Sequence, residues 1–106
     1  SITSVVNAST GMSAIRAGLT AAAIGQNFSA TAAENRIRVR VPNLDVTIPP
    51  GSITVTSAAV DRVEFTFPAI PNLPADGADA FVLLTVQAEG GGGTPAEQER
   101  TIRVVP

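Results

Sequence analysis

In the first third of the chain the apolar positions Val5, Ala8, Met12, Ile15, Leu19 and Ala22 recur at steps of three and four. That spacing lines one side of a helix and predicts one over residues 4–33. A glycine inside a helix costs about 1 kcal/mol relative to alanine, so Gly25-Gln26-Asn27 is the expected break. Beside the apolar line runs a row of small residues, Ser4, Asn7, Gly11, Ala14, Gly18, Ala21 and Gly25, in which glycine returns every seven positions. A row without bulk lets a second backbone approach closely, so Gly11, Ala14, Gly18, Ala21 and Gly25, with the larger Met12, Ile15 and Leu19, form the expected helix-packing interface.

From Arg36 onward the period becomes two, in short runs bounded by Pro, Gly and Asn, as strands require. Ile37-Arg38-Val39-Arg40-Val41 is the first run. After Pro42 the inward face moves from odd positions to Leu44, Val46 and Ile48, which predicts a bulge or a crossing between sheets. Pro49-Pro50-Gly51 is a turn, Ile53 and Val55 mark one strand, and Val63, Phe65 and Phe67 mark the next. Residues 70–78 read as an irregular connection between sheets. Residues 80–88 form a nearly continuous apolar run, expected of a central strand covered on both faces, with the helix as the outer cover. Gly90 to Gly93 reads as a loop tip and residues 98–105 as a closing strand.

These elements predict an α+β fold: an N-terminal Ala/Gly-rich helix followed by a small all-β immunoglobulin-like sandwich of about six strands. A single curled sheet wrapped on the helix is the alternative. The chain divides into a helical assembly segment, residues 1–35, and a β-sandwich domain, residues 36–106.

Composition then limits the chemistry. The chain has 106 residues, enough for one domain with a small core. Cys, His, Trp and Tyr are absent, and all seven cations are arginine. Thiol nucleophiles, disulfides, imidazole bases and lysine Schiff bases are therefore excluded together. We expect no enzyme, no catalytic residues, no cofactor, no metal and no small-molecule substrate. A net charge of −2 supplies no basic field for a polyanion, so no nucleic-acid partner is expected. Residues 17–25 are far shorter than the roughly 20 apolar positions of a membrane-spanning helix, and no signal peptide is visible.

Few local clusters suggest a site. Asp76-Gly77-Ala78-Asp79 reads as an ordinary turn rather than a calcium loop, and Glu97 and Glu99 as a solvated strand edge rather than an acid pair. Arg36, Arg38 and Arg40 share one face of their strand. They are candidates for polar contacts with acids of a neighbouring subunit, or form a charged edge that discourages sheet-to-sheet pairing. Within residues 1–33 the only charge is Arg16, the fourth candidate for an inter-subunit contact. A helix without a charged face is normally covered on most sides, which points to packing against further copies.

Ser9-Thr10-Gly11-Met12-Ser13-Ala14, then Leu19 and Gly25-Gln26-Asn27-Phe28, resembles the N-terminal segment of bacterial flagellar rod and hook axial proteins. The resemblance covers residues 1–33 and implies a Ser/Ala-rich helix that packs with copies of itself in a filament core. It departs from that pattern in the Ser29-Ala30-Thr31-Ala32 that follows Asn27 and in the strand-like Thr101 to Val105. The sequence-based expectation is a self-assembling homo-oligomer, a structural subunit of an extracellular filament, tube or shell, with the β domain outside or between subunits. A phage virion component (capsid, cement or tail) and a monomeric immunoglobulin-like adhesion or binding module are the alternatives.

Overall fold

The computed structural model describes residues 2–86 and 99–106. Its strands are β1 (Ile2–Asn7), β2 (Ala14–Ile15), β3 (Thr20–Gly25), β4 (Asn35–Val41), β5 (Val46–Ile48), β6 (Val55–Ala59), β7 (Arg62–Thr66), β8 (Ala78–Val86) and β9 (Arg100–Val104). They form a β-sandwich with a four-stranded sheet in the order β1-β3-β7-β6 and a five-stranded sheet in the order β2-β9-β8-β4-β5. Neighbours run antiparallel except β2 and β9, which are parallel. The expected loop tip at Gly90–Gly93 and the acid Glu97 lie outside the described residues.

The N-terminal helix expected over 4–33 is absent, which corrects the α+β class to all-β: the only helical turns among the described residues are three-residue 3-10 turns. Residues 2–25 instead supply β1, β2 and β3: β1 pairs with β3, β3 also with β7, and β2 with β9. The steps of three and four have a different origin. A register shift between Ile2 and Ser4 moves the inward side from Ile2 to Val5 and Asn7, mimicking a helical step. Gly11 and Gly18 stand in the turns between strands at φ 73° and 86°, a left-handed region open to glycine, and Gly25 ends β3 opposite Ile2. The glycine spacing thus measures strand plus turn. Ala21, Ala22 and Ala23 are all fully buried, with Ala21 and Ala23 in the core. Alanine's helix preference is a weak prior, and cross-strand packing overrides it here.

The first strand is divided between the sheets. β1 lies in one and β2 in the other, joined by a turn in which Asn7 N donates to Met12 O at 2.8 Å and Gly11 N to Asn7 O at 2.8 Å. The switch of inward face after Pro42 has a simpler cause than a crossing between sheets. Pro42–Leu44 form a 3-10 turn, Asp45 takes φ 54°, and β5 returns antiparallel to β4 within the same sheet. The crossing comes one turn later, at Pro50–Ser52, which leads to β6.

Strand alternation fills the space between the sheets. Val5, Ala21, Ala23, Val63 and Phe65 pack from one side, and Ile37, Val39, Val41, Ala80, Val82, Leu84, Ile102 and Val104 from the other. Burying one such side chain stabilises the fold by about 1.5–3 kcal/mol. Phe65 and Phe67 lie 6.2 Å apart with rings tilted by 36°, which places the aromatic centre of the core at the end of β7.

Candidate functional site

Alternation along β4 sends Ile37, Val39 and Val41 inward and Arg36, Arg38 and Arg40 to the outer face of the five-stranded sheet. Arg40 lies opposite Phe81 of β8 and Arg38 opposite Leu83. The Arg40 guanidinium sits 5.1 Å from the centre of the Phe81 ring, a cation–π contact. The apolar run of β8 therefore meets arginines rather than a helix on its outer face: the Arg40 guanidinium covers the Phe81 ring, and Arg38 stands opposite Leu83.

Glu99, just ahead of β9, fixes both arginines. Its Oε2 accepts from Arg38 Nη2 at 3.2 Å and Arg40 Nε at 3.1 Å, and its Oε1 accepts from Arg40 Nη2 at 2.7 Å. The Arg40 hydrogen bond holds the Glu99 carboxyl below its ordinary range; partial burial opposes this, and Arg38 reinforces it. Glu99 was expected on a solvated edge. Its role was hidden because its partners lie 59 and 61 residues away in sequence.

Arg36 stands apart. It is exposed and meets no acid among the described residues. It opens onto a cleft of about 360 Å³, bounded by Ala32, Ala33 and Arg36 on one side and by Pro50, Ile53 and Val55 on the other. The turn that forms the first wall is held by Asn35. Its Oδ1 accepts from Ser29 N at 3.1 Å, and its Nδ2 donates to Ser29 O at 2.8 Å and Thr31 O at 3.2 Å. The Ser29 hydroxyl in turn donates to Glu34 Oε1 at 2.5 Å. No sequence pattern marked this cleft, because its walls come from a turn, a strand edge and the crossing between sheets.

The residues expected to form one helix face are dispersed. Ile15 and Ala21 are core, Ala14 is half-buried in β2, and Gly25 closes β3. Gly11, Met12, Arg16, Gly18 and Leu19 fall in the turns before and after β2, with Met12 66% and Leu19 46% exposed. Hydrogen bonds from Asn7 N to Met12 O and from Ala8 N to Thr20 O bring these two turns to the same end of the sandwich.

The 76–79 turn is organised by an arginine. Arg103 Nη1 donates to Asp79 Oδ1 at 3.0 Å and Arg103 Nη2 to Asp76 O at 2.9 Å. Among the described residues no three metal-ligating side chains converge, and no helix is long and apolar enough to cross a membrane.

No protein-family model matches the chain, and no curated protein matches it. In fold it is similar to a crystallised Bacteroides vulgatus protein named "putative bacterial DNA binding protein", with a TM-score of 0.62 and 20% sequence identity over 99% of this chain. The chain spans 47% of the length of that neighbour, and at this identity the likeness is one of fold alone.

Proposed function

We propose that the chain is an immunoglobulin-like module without catalysis of its own, one that holds a fixed spacing and offers surfaces for recognition. The observation that carries this reading is the divided first strand, whose second part runs parallel to the last strand. Arg100, at the start of β9, donates to Thr3 O at 3.2 Å, and Val105 N, past its end, donates to Ile15 O at 2.9 Å. The two ends of the described chain therefore leave from opposite poles, a geometry suited to a spacer. The lack of Cys, His, Tyr and Lys supports a non-catalytic role.

Self-assembly through a helix has lost its structural basis. Assembly keeps one supporting observation, the exposed Met12 and Leu19 at the pole where β9 ends. DNA binding, which the neighbour's name suggests, has no support in the charge of this chain. Net charge is −2, and two of the three β4 arginines are committed to Glu99, leaving no basic stripe for phosphates. Light scattering across a concentration series, followed by negative-stain imaging, tests the proposal. A folded monomer at all concentrations is expected. Regular particles would replace the module reading with the structural-subunit one, filament, shell or virion.

A further inference from the structure

We propose that the Arg36 cleft binds an extended segment of a partner protein in which an apolar side chain neighbours a carboxylate. The apolar group rests on Pro50, Ile53 and Val55, and the carboxylate takes the Arg36 guanidinium. The proposal rests on the module reading and names the partner chemistry of one surface.

Charge complementarity identifies the ligand. Of three arginines on one strand face, Arg38 and Arg40 share Glu99, whereas Arg36 has no ion pair among the described residues and lines the cleft together with Pro50, Ile53 and Val55. Glu34, the acid nearest in sequence, gives its Oε1 to the Ser29 hydroxyl. A guanidinium fork matches a carboxylate in two parallel hydrogen bonds. The walls are also fixed in advance. Three hydrogen bonds between the Asn35 side chain and the backbone of Ser29 and Thr31 set the 29–35 turn, and Pro49 and Pro50 limit the backbone of the other wall. Binding then orders little of the protein. The form of the ligand follows from the strand edge. β5 pairs with β4 only from Val39 to Val41, so the Arg36 end of β4 has no β5 residue beside it. An extended segment laid there would run between β4 and the Pro50–Ser52 turn that packs against it.

The test is a titration of isotopically labelled protein with acetyl-Ser-Val-Asp-Val-amide, followed by amide chemical shifts. Saturable shifts are expected at Ala33, Arg36, Ile53 and Val55. Replacing the peptide's Asp by Asn, or Arg36→Gln in the protein, should weaken binding about tenfold or more, the worth of a hydrogen bond to a charged group. Arg16→Gln, at another exposed arginine, should leave it unchanged. Ala33→Glu, which sets a competing carboxylate beside Arg36, should abolish it and serves if Arg36→Gln disturbs folding. Absence of saturation, shifts confined to another surface, or equal binding of the Asn peptide would overturn the proposal. So would identical shifts from sodium acetate at equal concentration, which would make this a small-anion site. A monomer that ignores the peptide refutes this inference alone, whereas ordered particles refute the module reading.

Discussion

Arg40 grips Glu99 with two nitrogens, Nε at 3.1 Å and Nη2 at 2.7 Å, and thereby ties the end of β4 to the residue just ahead of β9, across β8. Both partners are partly exposed, at 37% and 22%, so solvent screens the pair and its worth is modest.

Its pH dependence follows from the lowered Glu99 pKa. A carboxyl whose folded value lies below its unfolded value contributes stability above the unfolded value, and that contribution is lost as pH falls through the folded one. The melting temperature of the native protein should therefore drop on acidification below the ordinary carboxylate range. Glu99→Gln should melt lower at neutral pH and show a shallower acid drop. Parallel acid profiles for the two proteins would show that the pair adds nothing.

The glycines separate backbone strain from steric clash. Gly51 has an ordinary φ and open space around a would-be Cβ, Gly18 has φ +86° and open space, and Gly77 has φ +81° with the Val104 carbonyl oxygen where a methyl would go. Gly51→Ala should be neutral or stabilise by about 0.4–1 kcal/mol through the unfolded chain. Gly18→Ala should cost about 1–2 kcal/mol from the left-handed backbone alone. Gly77→Ala must also shift β9 and should be the most damaging of the three. Urea denaturation of each variant measures the order, and an equal effect at Gly18 and Gly77 would contradict the close approach to Val104.

Phe65 carries the largest share of the core in β7, fully buried and facing Phe67. Phe65→Ala should destabilise by about 3–5 kcal/mol through lost transfer energy and the cavity left behind. Phe81, on the outer face, is only partly buried, so Phe81→Ala should cost less and should loosen Arg40 without emptying the core. Chemical denaturation curves decide, and a Phe81 effect as large as that at Phe65 would mean that the outer face supports the fold as strongly as the interior.

Legibility in the sequence followed the strength of alternation. Ile37-Arg38-Val39-Arg40-Val41 and Val63-Glu64-Phe65 alternate without interruption, and both lie in strands with the expected residues inside. Residues 2–25 misled because a bulge at Ser4, two glycine turns and a run of three buried alanines reproduced helical spacing without a helix. Turns built on Asn27, Asp45 and Asn72, all at positive φ, follow the ordinary preference of these residues and were half visible as breaks. The Arg40–Glu99 pair and the Arg36 cleft were not legible, since both join segments that only the pairing of β4, β8 and β9 and the crossing at Pro50 bring together.

A fragment of residues 36–106 is the sharpest test of where the fold resides. It lacks β1, β2 and β3, half of the four-stranded sheet and one edge of the other. β7 would lose its pairing from Thr20 to Ile24, leaving Val63 and Phe65 without the Ala21 and Ala23 that close the core beside them. Small domains have little stability to spare, typically about 5–15 kcal/mol in all, and each exposed core side chain removes about 1.5–3 kcal/mol. The fragment should therefore be unfolded at room temperature by circular dichroism and rapidly cut by protease, while the full chain resists. A cooperative melt of the fragment would show that β4 to β9 close a core of their own and that β1 to β3 are an addition to it.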